Sequence, residues 1–325
     1  MTVTPRKLQR LGASSIVVTL PHSWVKAHGL KVGDTVYIVD DGESLRILPA
    51  VQEERPASYV LNASRLPFPH LLSMALTCLY VNNFNDVLVD LKGVGESAIP
   101  ALKAEASRLL GVEVMEQRKD AVEVKVVLDD NKMDVKYSIK GLGTAVSNIA
   151  QLLARAASGE PVQQYELDVA SNDLHKYQHL VMRHLVAAST LGRQDQTPYS
   201  TILGTALLGV VGSVLLDAAK FVVSNSVRSE AVASAAKGLA DIAPLVGAMV
   251  AQPSVKRLHE TTFALVELSS KVEAGLASSS SPKEAAALAK VDDALKTLTI
   301  IFVAILCNAI VSEGMVRPAE GQATS

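Results

Sequence analysis

Arg6, Lys7, Arg10, Lys26 and Lys31 stand within the first 31 residues, and no Asp or Glu stands among them, a local balance of +5. The whole chain holds 31 Lys+Arg against 33 Asp+Glu, a net charge of −2, so positive charge is concentrated rather than general. Clustered cations neutralise phosphates and release their counterions, which makes duplex nucleic acid the natural ligand and binding salt-dependent. A solvated basic surface is the other reading of the same charges. With aromatic residues at 4%, a binder that stacks the bases of a single strand is disfavoured.

His175 and His179 stand four apart, on one face of any helix, a spacing that chelates a transition metal when an Asp or a further His joins. Gly93-Val94-Gly95-Glu96-Ser97-Ala98 follows a strand-like run. Glu96 would place a negative charge in a phosphate cradle, and no Lys-Ser/Thr completes a P-loop, so these glycines are read as a tight turn. Asp129, Asp130 and Asp134 cluster where a strand gives way to a helix and are read as turn and helix-capping carboxylates. No G-x-S-x-G elbow and no H-E-x-x-H occurs, and the chain is read as a non-enzyme.

The elements that position these residues come in three textures. Residues 1–52 carry short β-type runs (KLQRLG, SSIVVTLP, DTVYIVDD, LRILP), with one short helix in LPHSWVKAHGL between Pro21 and Gly29. Residues 57–130 alternate strand and helix in the order βαβαββ, with helical spacing at 69–80 and 97–110. From 135 to 314 the pattern is helical. Leu142, Val146, Ile149 and Leu153 step by four and three, as do Leu288, Val291, Leu295, Leu298 and Phe302. Helices are expected at about 135–158, 163–191, 199–225, 227–250, 254–278 and 282–313, forming two sets of three over 135–225 and 227–313. The expected class is multi-domain α+β: a β-rich head, a small α/β subdomain and an all-α body.

The 21 residues Gln196–Leu216 carry no charge, long enough to span a membrane. Pro198, Gly204, Gly209 and Gly212 lie among them, and no Lys/Arg cluster sets an orientation, so the expectation is a helix buried on every side within a bundle and no membrane insertion. Cys78 and Cys307 are the two cysteines, which supports neither a disulfide framework nor a thiolate zinc site and fits a cytoplasmic protein. MTVTPRKLQRLG lacks the apolar core of a signal peptide.

The head resembles the AbrB/MazE (SpoVT-AbrB) family of swapped-hairpin DNA-binding modules. Arg6-Lys7-Leu8-Gln9, Gly12, Ser14-Ser15, Thr19-Leu20-Pro21, Gly29-Leu30, Gly33-Asp34 and Leu45-Arg46-Ile47 carry the resemblance. It implies that two chains exchange hairpins into one β-barrel, that the protein is a homodimer or higher homo-oligomer, and that Arg6, Lys7, Arg10, Ser14, Ser15 and Lys26 contact duplex DNA.

The helical body is similar to the PhoU family of duplicated three-helix bundles, regulators of phosphate uptake. The piece that carries it is Asn172-Asp173-Leu174-His175-Lys176, continuing to Arg183, at the place of the family's acidic E-x-x-x-D metal helix. Here the two acidic positions read Ser171 and His175, and the matching stretch of the second set, Leu288 to Asp292, keeps only Asp292. The resemblance thus implies at most a metal ion held by His175, His179 and Asp292, and no other cofactor. Head and body together look like archaeal PhoU-type phosphate-uptake regulators. That implies a cytoplasmic transcriptional regulator of phosphate uptake and phosphate homeostasis. The alternative is an adaptor docking on a phosphate transporter component or sensor kinase, its head used only for dimerisation.

Overall fold

The computed structural model describes residues 4–12, 15–40, 45–49, 58–68, 71–128, 133–190, 199–279 and 281–312. Contacts divide the chain into two units, Met1–Ala57 and Ser58–Ser325.

The first unit contains two antiparallel ribbons. Strand β1 (Gln9–Leu11) pairs with β2 (Ser15–Val17), and β3 (Tyr37–Asp40) with β4 (Leu45–Leu48). Helix α1 (His22–Ala27) lies between the ribbons in sequence. Pro21 is its N-cap, with extended backbone, rather than its first helical residue. Gly29, just past the C-cap, has φ +64°, a left-handed conformation in which glycine carries no Cβ penalty. No residue of this unit is buried among those described. Leu8, Leu11, Ile16, Ile38 and Leu45 are all exposed, so the described residues of one copy of the head form no hydrophobic core.

The second unit begins with a four-stranded sheet. Strand β5 (Tyr59–Asn62) runs parallel to β6 (Asp86–Asp90), while β8 (Ala121–Val126) is antiparallel to β6 and to β7 (Val112–Arg118), in the order β5-β6-β8-β7. Alternation puts Val87 and Val89 of β6 and Val122 and Val124 of β8 on one buried face. Helices α2 (Leu71–Val81) and α3 (Ile99–Ala106) supply Leu72, Leu76, Tyr80 and Leu102 to the same core. Gly93 and Gly95, with φ +83° and +87°, turn the chain out of β6.

Among the described residues six helices follow: α4 (Val135–Ala157), α5 (Gln164–Thr190), α6 (Tyr199–Asn225), α7 (Glu230–Ala251), α8 (Val255–Ser278) and α9 (Pro282–Ser312). Asp134 caps α4 by accepting from Lys136 N at 2.8 Å. Within each trio the consecutive helices pack together, and between trios α4 packs on α7 and α6 on α9. The α4–α7 contact is close because neither helix carries a side chain where they cross. A Cβ on Gly143 would lie 3.0 Å from the Ala243 carbonyl oxygen and 3.1 Å from Gly247 Cα.

One expectation is corrected here. Helices α6 and α7 are long and apolar enough to cross a membrane by length and composition, but α6 is not buried on every side. Tyr199, Ile202, Ala206 and Val210 form an exposed stripe at steps of three and four, because α4, α5 and α9 cover the other sides of the helix and the stripe faces away from them.

Arg183 of α5 joins the sheet layer to the bundle. It is wholly buried; Nη1 donates to the Tyr80 carbonyl at 2.7 Å and Nη2 to Asn85 Oδ1 at 2.5 Å. Its guanidinium carbon lies 5.0 Å from the Tyr80 ring centroid, within cation–π range.

Candidate nucleic-acid interface

Arg6 and Lys7 precede β1, and Arg10 lies within it, paired in register with Ile16 of β2. Ser15 opens β2 opposite Leu11, while Lys26 occupies the last turn of α1. All five are exposed; Ser14 falls outside the described residues. Arg6 Nη1 donates to the Pro5 carbonyl at 3.3 Å. Asp34 stands near in sequence, but its carboxylate accepts from the Lys31 backbone N–H at 2.7 Å and so closes the turn before β3. Among the described residues, no ion pair engages Arg6, Lys7, Arg10, Lys26 or Lys31. The positive charge therefore remains available to an external anion, and side chains of this kind on a narrow ribbon contact phosphate and fix position on a duplex. The basic segment also holds one aromatic residue, Trp24, whose ring lies 4.6 Å from that of His28.

Spacing and charge alone missed a second property of this surface. The ribbon that carries Arg10 also presents Leu8, Leu11, Ile16 and Val18 to solvent. The signal was in the sequence: apolar residues recur through a segment of about 50 residues, too short to bury them in one copy.

The histidines occupy a different place. His175 and His179 stack on α5 with ring centroids 5.8 Å apart. Burial holds both imidazoles below their ordinary value and favours the neutral form that ligates metals. Nδ1 of His179 is buried with no hydrogen-bond partner. Glu105 of α3 acts on both rings, but its carboxylate accepts from Thr77 Oγ1 at 2.5 Å and pairs with Arg108 at 3.6 Å. Asp292 lies on α9 with Oδ2 2.6 Å from Lys296 Nζ. No group of three His, Cys, Asp or Glu able to hold an ion occurs among the described residues. The structure thus brings the two histidines together and leaves Asp292 out, because α9 packs on α6, α7 and α8 rather than on α5. Asp129 and Asp130 lie outside the described residues.

No curated protein and no solved structure matches the chain. A family model described as antidote-toxin recognition MazE, bacterial antitoxin, matches residues 9–55, the segment that carries both ribbons, α1 and most of the basic residues. Over those residues the N-terminal unit is similar to the MazE antitoxin family.

Proposed function

We propose that this chain is a homodimeric, cytoplasmic, non-enzymatic regulator that binds duplex DNA through its N-terminal module and controls phosphate uptake and intracellular phosphate levels. One observation carries the DNA-binding part: the head is cationic, its cations are free of carboxylates among the described residues, and it has no core of its own. Two heads sharing a core present Arg6, Lys7 and Arg10 twice, related by a two-fold axis, which suits a pseudo-palindromic duplex site. The phosphate part rests on the resemblance of the helical body to the PhoU family. That body acts as the sensing or docking element. A ligand or partner on it changes DNA affinity only to the extent that it prefers one arrangement of the paired chains.

Fluorescence anisotropy with duplexes from phosphate-transporter promoters and with unrelated duplexes tests this reading. Preferential binding to the promoter duplexes supports it; equal binding to all sequences removes the phosphate assignment, and absence of binding removes the regulator. The exposed apolar residues of the head favour a second reading, since they explain dimerisation without DNA. In that case the protein is an adaptor on a phosphate transporter component or sensor kinase. Replacing Arg6, Lys7 and Arg10 with Ala then leaves partner capture intact, whereas in the first reading it abolishes DNA binding.

A further inference from the structure

A groove of about 300 Å³ lies between α4 and α5. Leu152 and Val169 give it an apolar lining, to which Tyr165, 67% exposed, adds an aromatic ring. Its polar groups are the carboxamides of Asn148 and Gln151, the Arg155 guanidinium and the carboxylates of Glu166 and Asp173.

The charges in this groove are satisfied unequally. Arg155 donates from Nη1 to Glu166 at 2.8 Å, from Nε to Glu160 at 3.4 Å and from Nη2 to the Pro161 carbonyl at 3.2 Å. One guanidinium is thus shared by two carboxylates, which leaves a single negative charge in excess at that end. Already bound through three of its nitrogens, it has little left to offer an anion. Asp173 stands seven residues beyond Glu166, about two turns along the same face of α5 and roughly 10 Å away. Among the described residues no ion pair engages its carboxylate.

We propose that this groove binds a linear aliphatic polyamine. It carries an excess negative charge at each of two separated points with apolar and aromatic surface in the same groove. That pattern suits two ammonium groups joined by methylenes. One ammonium pairs with Asp173, where the Asn148 and Gln151 carboxamides add acceptor oxygens, and the other meets the carboxylates that share Arg155. The methylenes lie on Leu152 and Val169, and the Tyr165 ring presents its face to a cation. A phosphate or carboxylate ligand is excluded by the same charges. A metal ion is not served either, because no three metal-ligating side chains gather among the described residues. Nothing in this inference depends on DNA binding by the head.

Equilibrium dialysis of radiolabelled spermidine against the full-length, DNA-free protein tests the proposal. One saturable site per chain is expected, displaced by unlabelled spermidine but not by butylamine or Mg²⁺ at equal ionic strength. Asp173→Asn should weaken binding by about fivefold or more, the loss of one ion pair, and Tyr165→Leu by about two- to fivefold. Gln151→Lys, at an exposed position, sets a tethered ammonium in the groove and should weaken binding at least as much as Asp173→Asn. Absence of saturable uptake at millimolar spermidine overturns the proposal. Displacement by Mg²⁺ as effective as by spermidine overturns it in favour of a diffuse acidic surface, and saturable binding that all three variants leave unchanged overturns it by placing the site elsewhere in the chain.

Discussion

Ile16→Ala tests the coreless head. Ile16 is 70% exposed in one copy, and full burial of an isoleucine side chain stabilises by about 1.5–3 kcal/mol. Burying the exposed part in a shared core therefore contributes about 1–2 kcal/mol per chain, and the substitution acts twice in a dimer. The expected loss is about 2–4 kcal/mol, a rise of about 30- to 700-fold in the dimer dissociation constant. Because Ile16 makes no buried contact within its own chain, the second unit should unfold at an unchanged denaturant midpoint. Sedimentation equilibrium of full-length wild type and variant measures the dissociation constant. A constant unchanged within twofold would mean that Ile16 remains in water in the assembled protein, and the argument from the missing core would fail.

Three further outcomes follow from the second unit. Gly143→Ala places a methyl group 3.0 Å from a backbone oxygen of α7 that cannot turn aside, so urea denaturation should show a loss of about 1–3 kcal/mol, the usual cost of overpacking; an unchanged midpoint would mean the helices separate freely. Arg183→Met leaves the Tyr80 carbonyl and Asn85 Oδ1 without their charged donor and should cost about 3 kcal/mol in the same assay; a neutral result would show that the seam is held by apolar contacts alone. Burial, then the neighbouring His175, holds the His179 imidazole below its ordinary value of 6.5, and Glu105 opposes them. The unfolded chain then binds a proton near pH 6.5 that the folded chain resists, so stability is full above that pH and falls as the pH drops below it. His179→Gln should flatten this loss, and an equally steep acid limb in the variant would place the cause elsewhere.

The helices were legible because their seams step by three and four and because Pro198, Pro253 and Pro282 punctuate them. The observed α4, α5 and α9 begin and end within a residue of the expected ranges. The βαβαββ order was equally plain, since β-branched runs alternate with helical spacing. Exposure was not legible on α6, because apolar content gives the same period whether a fourth neighbour covers the helix or not. That neighbour is a tertiary fact, and Ile202 and Val210 show it missing. Nor could spacing alone place Asp292. A motif position on α9 says nothing about its distance from His175 until the two trios are packed, and there Lys296 already takes its carboxylate. In the head, residue types revealed the charge directly. The pairing surface had to be inferred from apolar residues that one chain of this size leaves in water.

The central claim is that paired heads carry the DNA contacts. Anisotropy titration of a duplex from 50 to 200 mM salt, with wild type and with Arg6, Lys7 and Arg10 all changed to Ala, tests it most directly. Three phosphate contacts from each of two chains predict a slope of log K against log salt near −5, about a thousandfold loss of affinity across that range. In the triple variant the slope should fall to near zero and binding should be lost. A wild-type slope near zero, or a triple variant that binds as the wild type does, would contradict the account.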